Sequence, residues 1–381
     1  MLPIVIVGSG LAGYTVAREL RKQDQTAPIM LITADDGRVY AKPMLSNALA
    51  AGKTAAALAT ADGDEMRRQL HIDIRPDSRV VAIDSLAHTL TVGGASIGYS
   101  KLVLALGADP ITPHLAGNGA PEVLTVNDLT DYGRFRAAIH PGQRVAILGA
   151  GLIGCEFAND LCGAGYPVTL IHPAATPLNR LLPETAGHAM REALAAAGVD
   201  WQGGETATAV DRTPGGYRLT LRSGAFLEAA AVLSAIGLKP RIALAAAAGM
   251  RTHRGIVVDR YLQTSAADVY AVGDCAEVEG RVLPFVLPLM HGARALARTL
   301  AGEATAVSYP AMPVVVKTPA CPVVVAPPEA GTAGEWQVNG EEGGVRALFY
   351  DSARQLRGFA LTGAAAAQKQ TLMRQLPPLM T

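Results

Sequence analysis

Cysteine is scarce: the 381 residues hold four, at positions 155, 162, 275 and 321. They are too scattered for a disulfide scaffold, and no Cys-x-x-Cys pair marks a zinc or iron–sulfur site, so no metal is expected and a reducing compartment, the cytoplasm, fits. Excess charge of either sign is also absent. The 33 Lys and Arg balance 33 Asp and Glu, which leaves no global field for holding nucleic acid or an anionic membrane. No apolar run reaches about 18 residues, and the opening Met-Leu-Pro-Ile-Val-Ile-Val-Gly-Ser-Gly lacks the basic start of a secretory signal. The expectation is a cytoplasmic chain with neither nucleic acid nor membrane as partner.

What the chain has is punctuation. Its 40 Gly and 24 Pro divide short apolar runs from Ala-rich helical stretches, the rhythm of a parallel sheet covered on both faces. An α/β fold follows. Pro3–Val7 and Arg144–Leu148 are each a buried strand entering a glycine-rich turn, so one binding unit occurs twice. Leu102–Leu106, Ala231–Ile236 and Asp268–Val272 read as further buried strands, and Arg79–Val92 as a hairpin. Beyond Tyr309, prolines separate β-rich runs and Gly363–Met373 reads as a last helix. The expected organisation is two Rossmann-like dinucleotide-binding domains and a small α+β C-terminal domain. Residues 1–115 and 242–309 make a discontinuous first domain, 116–241 a second inserted into it, and 310–381 the third.

The first turn, Gly8-Ser9-Gly10-Leu11-Ala12-Gly13, follows a strand and opens a helix. Glycines there permit a tight turn and a close backbone approach to a pyrophosphate, whose charge meets the helix N-terminus. The next strand, Ile29–Ile32, ends in Thr33-Ala34-Asp35, where the Asp35 carboxylate can accept ribose hydroxyls. Gly149-Ala-Gly151-Leu152-Ile153-Gly154 repeats the device and is followed by Glu156. Its second strand ends in His172-Pro173, with neither an acid for a ribose diol nor an adjacent Arg for a 2′-phosphate, and the missing Arg favours NADH over NADPH. Gly273-Asp274, closing a buried strand, can present Asp274 to a polyhydroxylated linker such as a ribityl chain.

Together these motifs resemble the two-dinucleotide-binding-domain flavoprotein reductases of the glutathione reductase type, and within them the NADH:rubredoxin reductases. The resemblance spans the whole chain. It rests on Gly8–Gly13, the run from Asp35 through Lys42-Pro43-Met-Leu-Ser46, Leu104–Gly107, Gly149–Glu156, Thr264–Ala276 and Lys317–Pro322. It implies FAD on the first domain, NADH on the second, and rubredoxin as electron acceptor. Carried over, Ser9 to Ala12 would touch the FAD pyrophosphate, Asp35 the adenosine ribose and Val80 the adenine through its backbone, with Gly8, Gly13, Thr33 and Ala34 also in the cofactor-contacting set. Gly273 and Asp274 would meet the ribityl chain, and Lys42 the isoalloxazine and phosphates. Val286 and Leu289, at the start of a helix expected over Leu289–Leu300, would aim amides at the flavin. Gly149, Gly151, Leu152, Ile153 and Gly154 would take NADH, and Pro43, Ala105, Gly107 and Gly237 complete the cofactor-contacting set.

Glu156 stands where this superfamily keeps a carboxylate beside flavin and nicotinamide. Many relatives pair it with a Lys after Pro-x-Leu-Ser, but here Asn47 holds that place, so either Lys42 or Lys317 serves or the pair is absent. Lys317, set in an apolar run, is costly unless its ammonium finds a partner or water. Glu156, Lys42 and Lys317 are therefore the candidate catalytic residues, as tuners of the flavin. No cysteine pair is placed to accept electrons, so a pair arriving as hydride would leave the flavin singly, which suits a one-electron iron protein. A reductase for ferredoxin or a flavo-diiron protein, an NADH oxidase, or an NADH-sensing flavoprotein holding a charge-transfer complex are the rival readings.

Overall fold

The computed structural model describes residues 1–341 and 343–381. Ile4–Val7, Ile29–Ile32 and Lys101–Leu104 are short runs, almost wholly buried. They pair in parallel, and a sheet apolar on both faces must be covered on both. Val269–Ala271 joins one edge and Asp73–Arg75 the other, giving the order Val269–Ala271, Lys101–Leu104, Ile4–Val7, Ile29–Ile32, Asp73–Arg75. This first sheet thus draws on two separated stretches of chain. Helices Leu11–Gln23 and Val286–Leu300 pack on each other and share its core through Val16, Leu20, Ala293 and Leu296.

A second parallel sheet runs in the order Val199–Gly203, Val168–His172, Val145–Leu148, Ala231–Ser234. Helices Leu152–Gly163 and Glu184–Ala196 contribute Phe157, Leu161, Met190 and Leu194 to its core. The chain passes between the two units through a narrow neck in which Ala108–Pro110 pairs antiparallel with Leu238–Pro240. Arg241 pins that neck, its Nε donating to Asp109 Oδ1 at 2.6 Å and its backbone N–H to Gly107 at 3.0 Å.

The C-terminal sheet is antiparallel, in the order Val314–Val316, Val323–Ala326, Leu356–Gly363, Gly344–Asp351, Gly334–Glu341. Side chains alternate between its faces. Val323, Val325, Val345, Ala347 and Ala360 enter the core of the second unit, while Phe359, Leu361 and Leu372 form a small core of their own. A module this short gains much of its burial from a neighbour.

Several elements depart from the sequence reading. The helix expected over Leu289–Leu300 starts at Val286, because Pro288 lies in its first turn, where a missing N–H loses no helical bond. Gly363–Met373 splits into a 3-10 turn, Ala364–Gln368, and a helix, Lys369–Met373. The Arg79–Val92 hairpin gains a third strand, Ala95–Gly98. The strand Val314–Val316 ends before Lys317, which frees that lysine from the sheet.

Candidate functional site

In the first glycine-rich turn the glycines divide the work. Gly8 sits at φ 113° and a Cβ there would stand 2.3 Å from the Ala105 carbonyl oxygen; at Gly13 it would stand 1.9 Å from that of Gly8. These two let strand and helix close up. Gly10 is different: its φ is an ordinary −64°, and a Cβ would meet nothing within 4 Å. Its bareness keeps space open in front of the first amides of Leu11–Gln23, which have no partner inside the helix. Ser9 Oγ and Thr33 Oγ1 both donate to Asp35 Oδ1, at 2.7 and 2.6 Å, and the Gly37 N–H adds a third bond at 3.1 Å. Asp35 is itself exposed, beside exposed Ala34.

Other parts of the set converge on the same cleft. Gly273, at φ 80°, lets its turn press on both unit helices: a Cβ there would lie 2.9 Å from the Ala12 Cβ and 3.5 Å from Leu289 Cδ1. Gly107, at φ 73°, is open on its Cβ side. Val80 begins its strand buried, paired with Val92. Lys42 and Asp274 feel each other's charge without forming an ion pair. Burial pulls the Lys42 ammonium below its ordinary range against the opposing pull of Asp274. Burial likewise pushes the Asp274 carboxyl up against the pull of Lys42. Two opposite charges recessed in one cleft, with open space beside glycines at a helix N-terminus, fit a pyrophosphate and a polyol chain.

The second turn repeats the arrangement. A Cβ at Gly154 would stand 1.8 Å from the Gly149 carbonyl oxygen, and one at Gly149 2.8 Å from that of Ala235, whereas at Gly151 it would meet nothing within 4 Å. Leu152 and Ile153 lie partly exposed at the helix entry, and Gly237, at φ 129°, borders Ile111. His172 accepts the Ala150 N–H on Nδ1 at 3.2 Å. That bond puts its ring proton on Nε2, which reaches Asn179 Oδ1 at 3.1 Å. Burial lowers the His172 pKa, and the nearby Arg180 charge works the same way against the Asn179 bond. The ring is therefore neutral near pH 7.

Glu156 is where the three parts of the chain meet. It is 4% exposed. Oε2 accepts from Lys317 Nζ at 2.9 Å, from Ser46 Oγ at 2.5 Å and from Asn47 Nδ2 at 3.2 Å, and Oε1 takes the Lys317 backbone N–H at 2.9 Å. Lys317 Nζ also donates to the Pro43 carbonyl. Of the two lysines left open by the sequence, Lys317 supplies the cation. Lys42 makes no bond to Glu156, and the opposite charge it feels most is that of Asp274. A buried carboxylate with four donors, one of them charged, is fully compensated.

The cysteines stay apart from this chemistry. All four are free, and burial raises the thiols of Cys155, Cys162, Cys275 (to about 11) and Cys321. A thiol held protonated is a poor nucleophile and a poor relay.

Residues 2–297 match the model of the pyridine nucleotide-disulphide oxidoreductases. The chain belongs to that family. Residues 306–376 of this pyridine nucleotide-disulphide oxidoreductase match the model of a rubredoxin binding C-terminal domain. The rubredoxin-NAD(+) reductase of Alcanivorax borkumensis is 52% identical, over 100% of both chains. The nitric oxide reductase FlRd-NAD(+) reductase of Aeromonas hydrophila is 40% identical over 98% of this chain and 96% of its own. A ferredoxin reductase from Rhodopseudomonas palustris superposes with a TM-score of 0.88 at 26% identity, covering 98% and 95% of the two chains.

Ser46, Asn47 and Asp160 at the Glu156 junction were not among the candidate site residues from sequence. Asn47, in the place where the resemblance leads one to expect a lysine, and Ser46 both donate to Glu156 Oε2. Asp160 lies one turn beyond Glu156 and accepts the N–H groups of Leu49 and Ala50 at 2.8 and 3.2 Å. The only signal was the i, i+4 spacing of two acids on an otherwise apolar helix.

Proposed function

We propose that this chain is an FAD-dependent reductase that takes hydride from NADH and passes electrons singly to rubredoxin. The observation that carries this reading is the pair of open glycine positions, Gly10 and Gly151, each fronting a helix N-terminus on either side of the Glu156–Lys317 junction, next to a C-terminal module of the rubredoxin-binding kind. FAD, when bound, supplies the chemistry of accepting two electrons together and releasing them one at a time. In this proposal the first unit, residues 1–115 and 242–309, holds FAD on Gly8–Gly13, Asp35, Lys42 and Asp274, and the second, 116–241, holds NADH on Gly149–Gly154. Residues 310–381 add Lys317 and part of the docking face for the acceptor. We place the reaction in the cytoplasm, where four free thiols are kept reduced.

The residues have distinct tasks. The helix starting at Val286 presents unpaired amides and the positive end of its dipole, which favours negative charge in front of it. Lys317 neutralises Glu156 and ties it to Pro43, so the wall of the cleft carries a compensated pair rather than a bare carboxylate. Neither side chain needs to move a proton. A FlRd-type acceptor is the second reading, supported by the Aeromonas relative.

Anaerobic stopped-flow mixing with NADH, and then with rubredoxin, ferredoxin or a FlRd protein, tests both readings. Flavin absorbance should bleach with NADH and recover fastest with rubredoxin. Bleaching without recovery on rubredoxin would refute the acceptor assignment, and recovery with the FlRd protein alone would favour the second reading.

A further inference from the structure

One stretch of the first unit leaves its own sheet and embeds in the second. Leu49 is buried in the second unit's core with Phe157, Leu161 and Phe135. Leu45, Ala48 and Leu58 share a separate small core with Leu129 and Tyr132. Apart from the Lys317 ammonium on the Pro43 carbonyl, the polar anchors of this stretch come from the second unit. Glu156 takes Ser46 and Asn47, Asp160 takes the Leu49 and Ala50 amides, and Tyr132 Oη donates to the Lys53 carbonyl at 3.0 Å. Asp160 is 6% exposed. Burial pushes its carboxyl up, and the two amides and the Lys317 charge pull the other way.

Glu156 and Asp160 lie on one face of Leu152–Gly163, the helix that opens in the second glycine-rich turn. The peptide they hold begins at Lys42-Pro43. One rigid rod therefore connects the nicotinamide nucleotide's turn to the segment lining the flavin cleft.

We propose that Asp160 is a positioning residue for hydride transfer: by seating Leu49 and Ala50 on that helix, it sets the separation of the nicotinamide from the flavin. The inference rests on the FAD and NADH reading above. Hydride transfer needs reacting atoms about 3–3.5 Å apart, and a displacement near 1 Å can lower the rate by about a hundredfold. An Asn at 160 keeps one acceptor and turns an NH2 toward the other amide, so the peptide must shift.

The test uses the FAD-loaded full chain, with Asp160→Asn and Tyr132→Phe. Single-turnover reduction by NADH yields a limiting rate and a dissociation constant, and hydrogen exchange reports the amides of residues 46–53. For Asp160→Asn we expect the limiting rate to fall by about tenfold, NADH affinity to stay within about twofold, and the Leu49 and Ala50 amides to exchange faster. Tyr132→Phe, which keeps its ring in the core, should change the same quantities in the same direction by less. Faster exchange with an unaltered limiting rate in Asp160→Asn overturns the proposal, as does a loss confined to NADH affinity. Should Asp160→Asn fail to retain FAD, the same two results in Tyr132→Phe decide. A wild-type chain whose flavin NADH does not bleach overturns the underlying reading and this inference with it.

Discussion

Gly151→Ala isolates the nucleotide from the fold. Gly151 already has φ −74° and an extended ψ of −170°, a backbone any L residue adopts. An added methyl would meet no protein atom within 4 Å. The unfolding free energy should then hold steady or rise by up to about 1 kcal/mol, because alanine restricts the unfolded chain. Only a ligand drawn close to the backbone would feel the methyl. If it pushes a pyrophosphate off one or two amides of the first helical turn, the loss is about 1.5–3 kcal/mol for each charge-assisted bond. Losing a single such bond corresponds to roughly 10- to 150-fold weaker NADH binding, and losing two to more.

The assay is the NADH concentration dependence of flavin bleaching, run beside urea unfolding of the same preparation. Bound FAD should remain at wild-type occupancy, since Gly151 belongs to the other turn. Gly10→Ala is the mirror image and should lose FAD from a folded chain. NADH affinity within about threefold of wild type in Gly151→Ala, with unchanged stability, would refute the idea that this glycine is bare for the sake of a phosphate.

Three other outcomes follow from the site. In a double-mutant cycle of Lys317→Met and Glu156→Gln, the coupling in unfolding free energy should be about 2 kcal/mol, reduced from a fully buried pair because the lysine side chain is 34% exposed; a coupling under about 0.5 kcal/mol would make it an ordinary surface pair. Lys42→Met should make the FAD-free protein more resistant to unfolding at pH 7. Burial lowers the folded-state pKa of Lys42, so the unfolded chain binds more protons between that lowered value and 10.5, wild-type stability rises with pH through that window, and the advantage of Met closes there. With His172 neutral at pH 7, kcat/KM for NADPH should improve relative to NADH as pH falls through its lowered pKa and the ring gains charge. His172→Asp should abolish that trend and depress NADPH use by about tenfold or more; measured ratios of kcat/KM across pH decide it.

Sequence and structure agree where local backbone geometry dictates the residue. Gly8, Gly13, Gly149 and Gly154 are demanded by contacts under 3 Å to carbonyl oxygens, and such turns announce themselves between an apolar run and a helix. The inner strands of the two parallel sheets were legible because they read as short apolar runs, whereas the edge strands Asp73–Arg75 and Val199–Gly203, with exposed and charged positions, gave no such run. Helix starts were less so: Pro288 reads as a helix boundary, yet fits inside a first turn. The cation of Glu156 was legible only as a choice between Lys42 and Lys317, with an absent pair as the third option. Lys317 stands 161 positions away, and its reach depended on the strand Val314–Val316 stopping just short of it.

The seam between the units shows why such contacts escape a linear reading while still leaving a trace. Two acids at 156 and 160 sit on a helix otherwise lined by Cys155, Phe157, Ala158 and Leu161, all buried. A face that apolar cannot point two carboxylates at water, and each needs donors to offset its lost hydration. The neighbouring strands of the second unit have spent their amides on one another, so the donors had to come from elsewhere in the chain. Ser46, Asn47, Leu49, Ala50 and Lys317 answer that demand, from the first unit and the C-terminal module. The unpaired acids of one domain are thus the sequence's record of the other two, even though which residues meet them is decided only by the assembled fold.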